Sequence, residues 1–167
     1  MKKMLRVMVV TFMTVLCLTG CGKEQDELLD YLNGDARKEV TDLEKKMKDS
    51  YGSVTGDNYT DDQTALQELS TNTKDLAKQT LDKATALGGT IEGEELKKAH
   101  ELYVACIKDF QSGVDQFIQA LENGDAEQMT QVNETLDKAN GENTQYMEAI
   151  KKLAGELGVE VEMKGVD

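Results

Sequence analysis

The stretch GEELKKAHELYVACIKDFQSGVDQFIQALENG, residues 93–124, decides the fold class. Its apolar positions recur in steps of three and four: Leu96, Ala99 or His100, Tyr103, Cys106 or Ile107, Phe110, Val114, Phe117 and Leu121. That spacing lines one face of an α-helix and does not fit the alternation of a strand. Glu94 and Glu95 stand in the first turn, where acids favour the helix dipole. Asn123-Gly124 ends the run, and glycine is the usual residue just past a helix.

The same grammar repeats on both sides. Downstream, Asp125 caps another helix, with Gln128 three residues later. Its stripe is Met129, Val132, Leu136, Ala139 or Asn140, Asn143, Met147, Ile150, Leu153 or Ala154, and Leu157, with Gly158 as the stop. Upstream, Thr60-Asp61-Asp62-Gln63 fits a capping box with Thr60 at N-cap and Gln63 at N3. Leu66, Leu69, Thr73, Leu76, Thr80 or Leu81, Ala84 and Leu87 follow, and Gly88-Gly89 offers a left-handed C-terminus. The first segment carries Leu28, Leu32, Ala36, Val40, Leu43, Met47 and Tyr51. Asn33-Gly34 is a turn signal inside it, which offers a kink or a break near Gly34 as the alternative to the essentially continuous helix expected here. Residues 51–59 read as a loop.

Four helices of similar length on short loops predict an all-α, antiparallel up-down-up-down four-helix bundle. It is expected to span residues 26–158 as one domain, followed by a partly ordered tail at 159–167. In such a bundle His100 falls opposite Met147 and Leu81, and Leu81 opposite Tyr31. A buried polar layer of His100, Tyr31, Asn143 and Tyr146 is therefore expected, with the structural role of fixing helix register. Burial would disfavour the charged form of His100.

Composition agrees. The 167 residues hold no Pro and no Trp, and aromatics make up 5%, which argues against an all-β sandwich or barrel. Thirty-two acids against 19 bases give a net charge of −13. Nucleic acid is excluded as a partner, because phosphate binding needs a clustered basic face.

The chain opens with Lys2, Lys3 and Arg6, and residues 7–18 are almost wholly apolar. A dozen such residues are too few to span a bilayer core of roughly 30 Å, but they suit a secretory signal. Leu18-Thr19-Gly20-Cys21 follows, and it resembles the lipobox of bacterial lipoproteins. The resemblance implies cleavage before Cys21 and a diacylglyceryl thioether on its sulfur. Residues 1–20 are then a removed signal and residues 21–25 a lipidated, palmitate-bearing N-terminus with a short tether. Loss of Lys2, Lys3 and Arg6 takes the net charge to −16. Cys17 leaves with the signal, so Cys106 has no disulfide partner. The chain also resembles, more loosely, small helical-bundle lipoproteins of Gram-positive bacteria. The likeness rests on the signal, the lipobox and, loosely, residues 96–100 and 122–125. It carries over only Cys21.

Other chemistry finds little support. One His, with Lys97 three residues before it, cannot build a di-iron site, and zinc needs more His or Cys. His100 and Met147 could bracket a haem, but no Cys-x-x-Cys-His run is present. Residues 57–62 offer oxygens to calcium without the EF-hand spacing. His100 and Cys106 are six residues apart on one helix and point in different directions. No metal, cofactor or catalytic residue is expected. The function read from the sequence is a lipid-anchored extracytoplasmic module, non-enzymatic, held to the membrane through Cys21 on the outer face of the cytoplasmic membrane in a Gram-positive cell. A protein partner would meet the distal tip around Tyr51, Val54 and Tyr59. The alternative is a small apolar ligand held between the helices, beside the small residues Thr73, Ala77, Ala84, Ala99 and Gly113.

Overall fold

The computed structural model describes residues 12–16, 22–125 and 127–164. Lys2, Lys3, Arg6, Cys17 and the lipobox from Leu18 to Cys21 lie outside them. The chain is mostly helical. Its helices are α1 (Lys23–Asn33), α2 (Asp35–Ser53), α3 (Asp62–Glu68), α4 (Lys74–Gly88), α5 (Glu94–Asn123) and α6 (Gln128–Glu156). A π-helical turn, Leu69–Thr73, joins α3 to α4 without interruption. The helical body thus starts at Lys23, three residues before the expected position 26, and leaves almost no tether after Cys21.

The first segment is broken, not continuous. Gly34 is extended, with φ −65° and ψ 158°, and both ends α1 and precedes α2. Its N–H donates to the Asp30 carbonyl at 2.7 Å. A Cβ at Gly34 would lie 2.4 Å from that same oxygen, so only glycine fits. The break re-phases the next helix. Val40, Met47 and Tyr51 face inward as expected, but Ala36 is exposed and Leu43 half-buried. Arg37 and Glu44 take the inward positions instead, at steps of three and four from Val40 and Met47.

The π-helical turn has a comparable cause. Ala65, Leu69, Thr73 and Ala77 are all buried and four residues apart. Four residues overshoot a 3.6-residue turn by about 40°, so repeated steps of four drift around the helix. A wider turn at 69–73 absorbs the drift and keeps all four facing inward. The cap of α3 is Asp61, not Thr60: its carboxylate accepts from the Thr64 N–H at 2.8 Å and from the Thr64 hydroxyl at 2.8 Å.

The α5 stripe is wider than a single face. Both members of each ambiguous pair, Ala99 with His100 and Cys106 with Ile107, are buried, and α5 packs closely against both α4 and α6. It ends in a left-handed Gly124, with the Asp125 N–H donating to the Ala120 carbonyl. The Asp125 carboxylate then accepts from the Glu127 N–H at 2.8 Å, ahead of α6.

The tail is more ordered than its alternation suggests. Val159 is buried, and β2 (Glu160–Lys164) pairs antiparallel with β1 (Phe12–Leu16), Leu16 opposite Glu160. β1 falls within the segment that signal cleavage would remove, so this pairing belongs to a chain that still carries it.

Candidate functional site

The break at Gly34 points a guanidinium into the interior. Arg37 sits over the ring of Tyr103, its central carbon 4.4 Å from the ring centroid, and 5.9 Å from the centroids of both Tyr31 and Tyr146. All three lie within cation–π range, where an aromatic face attracts a positive charge. Its side chain is 12% exposed. Burial alone would weaken its charge, but the phenol oxygens of Tyr146, Tyr103 and Tyr31 and the carboxylate of Glu44 outweigh that and hold it protonated.

Glu44 lies one turn along α2 from Val40 and is 2% exposed, with Oε2 3.8 Å from Arg37 Nη2. That separation makes an ion pair of loose geometry. Burial pushes the Glu44 carboxyl above its usual range, while Arg37 and the Tyr103 hydroxyl pull it back. Arg37 Nη1 has no hydrogen-bond partner among the described residues.

The fourth ring is His100. Its centroid is 5.5 Å from Tyr31, edge to face, and 5.7 Å from Tyr103; Tyr103 in turn stands 5.1 Å from Tyr146. The hydrogen bonds around it run in one direction. Nε2 lies 2.8 Å from the Ala84 carbonyl, which can only accept, so Nε2 carries the proton. Nδ1 of the neutral ring is then an acceptor, and the Tyr31 hydroxyl donates to it at 3.0 Å. The Tyr31 oxygen is left to accept from the Tyr146 hydroxyl at 3.1 Å. His100 is 2% exposed, and burial holds its pKa below the ordinary histidine value. Gly88 makes the room: a Cβ there would lie 2.7 Å from the His100 ring. Gly89 has φ −68°, so this Gly-Gly pair serves the close approach of an imidazole and not a left-handed helix end.

The structure therefore brings Tyr31, His100 and Tyr146 into direct contact. Asn143 is buried on α6, three residues before Tyr146. Leu81 is half-buried, and the α4 member of the level is Ala84, three residues nearer the turn. Sequence reasoning missed Arg37 and Glu44, because it carried one helical phase through Gly34. Restarting the count after the glycine would have placed residues 37, 40, 44, 47 and 51 on one stripe.

The remaining candidates settle elsewhere. Cys106 is fully buried, and burial raises its thiol pKa, followed by the carboxylates of Glu44, Glu142 and Asp109. It is held as the thiol, the unreactive form. Ala77, Ala84, Ala99 and Thr73 are buried, and Leu136 occupies the space beside Gly113, where a Cβ would meet it at 2.7 Å. At the end of α2, Tyr51 and Val54 face inward, with Tyr51 against Phe110 at 5.2 Å. Tyr59 alone of the three is exposed, at 40%, and bonds to Asp62. No group of three or more His, Cys, Asp or Glu among the described residues is placed to hold a metal. No family model, curated protein or solved structure matches the chain.

Proposed function

We propose that this chain is an exported lipoprotein whose body is an antiparallel up-down-up-down four-helix bundle, a non-catalytic interaction or structural module of the cell envelope. One observation carries the reading. The apolar run of residues 7–18 ends in Leu18-Thr19-Gly20-Cys21, and α1 begins at Lys23, two residues later. A thioether at Cys21 would hold the first helical turn within about 7 Å of the lipid. Two fatty chains make such an anchor stable, where one is marginal. No helix among the described residues is long and apolar enough to cross a membrane.

The arrangement of rods is supported by links between helices. Glu27 of α1 accepts from the N–H groups of Glu92 and Gly93 before α5, at 2.5 and 3.0 Å. Lys83 of α4 reaches Glu39 of α2, and Lys138 of α6 reaches Asp109 of α5. In this bundle α1 leads away from the anchor. Residues 88–93 lie toward the lipid, and residues 52–59 and 122–125 form the far tip, where Tyr59 is offered to a protein partner. The non-catalytic reading rests on His100, Tyr31 and Tyr146, which spend their polar atoms on one another and on the Ala84 carbonyl.

Cys21→Ala removes the attachment atom. Expected are an unprocessed precursor, loss of radiolabelled palmitate incorporation, and a shift from the detergent to the aqueous phase on partitioning. Equal incorporation and partitioning in wild type and variant would end the proposal.

A further inference from the structure

We infer that Asn123 is a site of spontaneous amide hydrolysis, which converts it to isoaspartate and releases the turn between α5 and α6. The sequence holds three asparagine–glycine pairs, and an acid follows each: Asn33-Gly34-Asp35, Asn123-Gly124-Asp125 and Asn140-Gly141-Glu142. In an unfolded chain motifs so alike react at similar rates, so the fold alone ranks them. The reaction needs only water. The glycine nitrogen, once it has given up its proton, attacks Cγ of the asparagine side chain. The new C–N bond closes a succinimide ring, and the side-chain nitrogen leaves as ammonia. Water then opens the ring at either carbonyl, leaving aspartate or isoaspartate. One water enters, one ammonia departs, and nothing is oxidised or reduced. Glycine favours the step because it has no Cβ to crowd the ring.

A fold obstructs this step where the backbone is held helical and the glycine N–H is engaged. Asn140-Gly141 lies inside α6, and the Asn140 carbonyl also accepts from the Thr144 hydroxyl at 3.0 Å. Gly34 is half-buried, its N–H donates to the Asp30 carbonyl at 2.7 Å, and α2 resumes at the next residue. Gly124 differs on each count. It is exposed and left-handed, and no helix resumes directly beyond it. Its N–H is shared between the Ala120 and Leu121 carbonyls, the latter at 3.3 Å. Asn123 is exposed as well, and a Cβ at Gly124 would meet nothing within 4 Å, so the ring has space to form. Helix ends open at little cost in free energy and helix interiors at much more.

The product alters the turn. Isoaspartate routes the backbone through the former side chain and adds a methylene to it. The Gly124 and Asp125 N–H groups are then displaced from the carbonyls of the last turn of α5. The new carboxylate, ionised at neutral pH, stands at the C-terminus of α5, where the dipole disfavours an acid. Nothing in this depends on the lipid anchor.

Prolonged incubation of the purified protein at neutral pH, followed by peptide mapping with mass spectrometry and isoaspartate-specific methylation, tests it. Expected in the folded protein is isoaspartate at residue 123 at least about tenfold faster than at 33 or 140, with the three rates converging in urea. The rate at 123 should rise with pH, because base frees the Gly124 nitrogen. Hydrogen exchange of the Gly124 and Asp125 amides should quicken in aged wild type and stay constant in aged Asn123→Ser. Equal rates at the three sites in the folded protein, faster conversion at 33 or 140, or no conversion at 123 over a period that converts the unfolded chain would each overturn the inference. So would rates that stay unequal in urea, which would make local sequence and not the fold the cause. Unchanged exchange in the aged wild type would overturn the release of the turn. The wild-type rates decide the site alone should Asn123→Ser not fold.

Discussion

At Gly113 the seam between α5 and α6 has no room for a methyl group; at Arg37 the seam between the first rod and α6 holds a whole guanidinium. The backbones of α5 and α6 run close together along their length, whereas α1 and α2 meet α6 chiefly through large side chains. Tyr31 reaching Tyr146 is such a contact. At Gly113 the narrow seam is filled by Leu136, and its energy there is area and dispersion. The wide seam is filled by four rings, a cation and a carboxylate, and its energy depends on each polar group finding its partner. Close packing tolerates a lost atom in proportion to the volume lost. A polar layer tolerates removal of a whole set better than removal of one member.

That difference predicts the largest effect at Arg37. Arg37→Ala leaves Glu44 buried without its cation and should cost about 3–5 kcal/mol of unfolding free energy. Replacing both, Arg37→Met with Glu44→Leu, should recover most of the loss in denaturant titrations. If the double replacement is as damaging as the single, the layer is held by something other than charge pairing. The pH dependence follows from Glu44, whose folded pKa is raised by burial. Its stabilising share is present below its unfolded value, near 4.5, and is lost as pH rises through the higher folded value. Without Arg37, which pulls that folded value down, the loss should extend to higher pH and grow larger.

The narrow seam should answer in the opposite manner. Leu136→Ala removes volume and should cost about 2–5 kcal/mol. Gly113→Ala alone drives a Cβ into Leu136 and should cost about 1–3 kcal/mol. In the Leu136→Ala background the same added methyl occupies vacated space, so its effect should change sign. Additive losses in this double-mutant cycle would show that Gly113 is constrained by backbone and not by Leu136.

These two seams were unequally legible in the sequence. Leu136, Phe110, Val114 and Phe117 announce themselves, because an unbroken helix carries one phase from end to end. His100 and Tyr31 were readable for the same reason: pairing across turns places them at one level. Arg37 and Glu44 were not, since charged residues read as solvated unless the phase is known, and Gly34 resets it. The π-helical turn was hidden similarly. Ala65 and Ala77 lie off the 3.6-residue stripe until the helix widens between them. Which hydroxyl donates to which nitrogen depends on Ala84, whose backbone carbonyl leaves no trace in residue type.

Tyr31→Phe is the gentler probe of the wide seam. It keeps the ring over Arg37 and deletes only the hydroxyl that joins His100 Nδ1 to Tyr146. Two buried groups are left without their partner, and a cost of about 1–3 kcal/mol is expected. Tyr146→Phe deletes the terminal donor and leaves the Tyr31 to His100 bond intact, so it should cost less. Negligible losses in both variants would mean that the phenols act by packing alone.

The smallest effect belongs to the protonation of His100. Burial holds its folded pKa below the ordinary 6.5, with the nearby Arg37 charge acting in the same sense and the Ala84 carbonyl against it. The unfolded chain therefore takes up a proton at a higher pH than the folded one. The stability His100 contributes is present above about 6.5 and is lost as pH falls through the folded value. A second proton would also reverse the hydrogen bonds: Nδ1 would become a donor, and Tyr31 would have to turn its own proton toward Tyr146. NMR of the single imidazole should show the Nε2–H tautomer at neutral pH and a depressed midpoint. In Tyr31→Phe, with the donor to Nδ1 gone, the tautomer preference rests on Ala84 alone. A midpoint at or above 6.5 in wild type would show that the ring meets solvent and that the directed chain of hydrogen bonds is not what holds this seam.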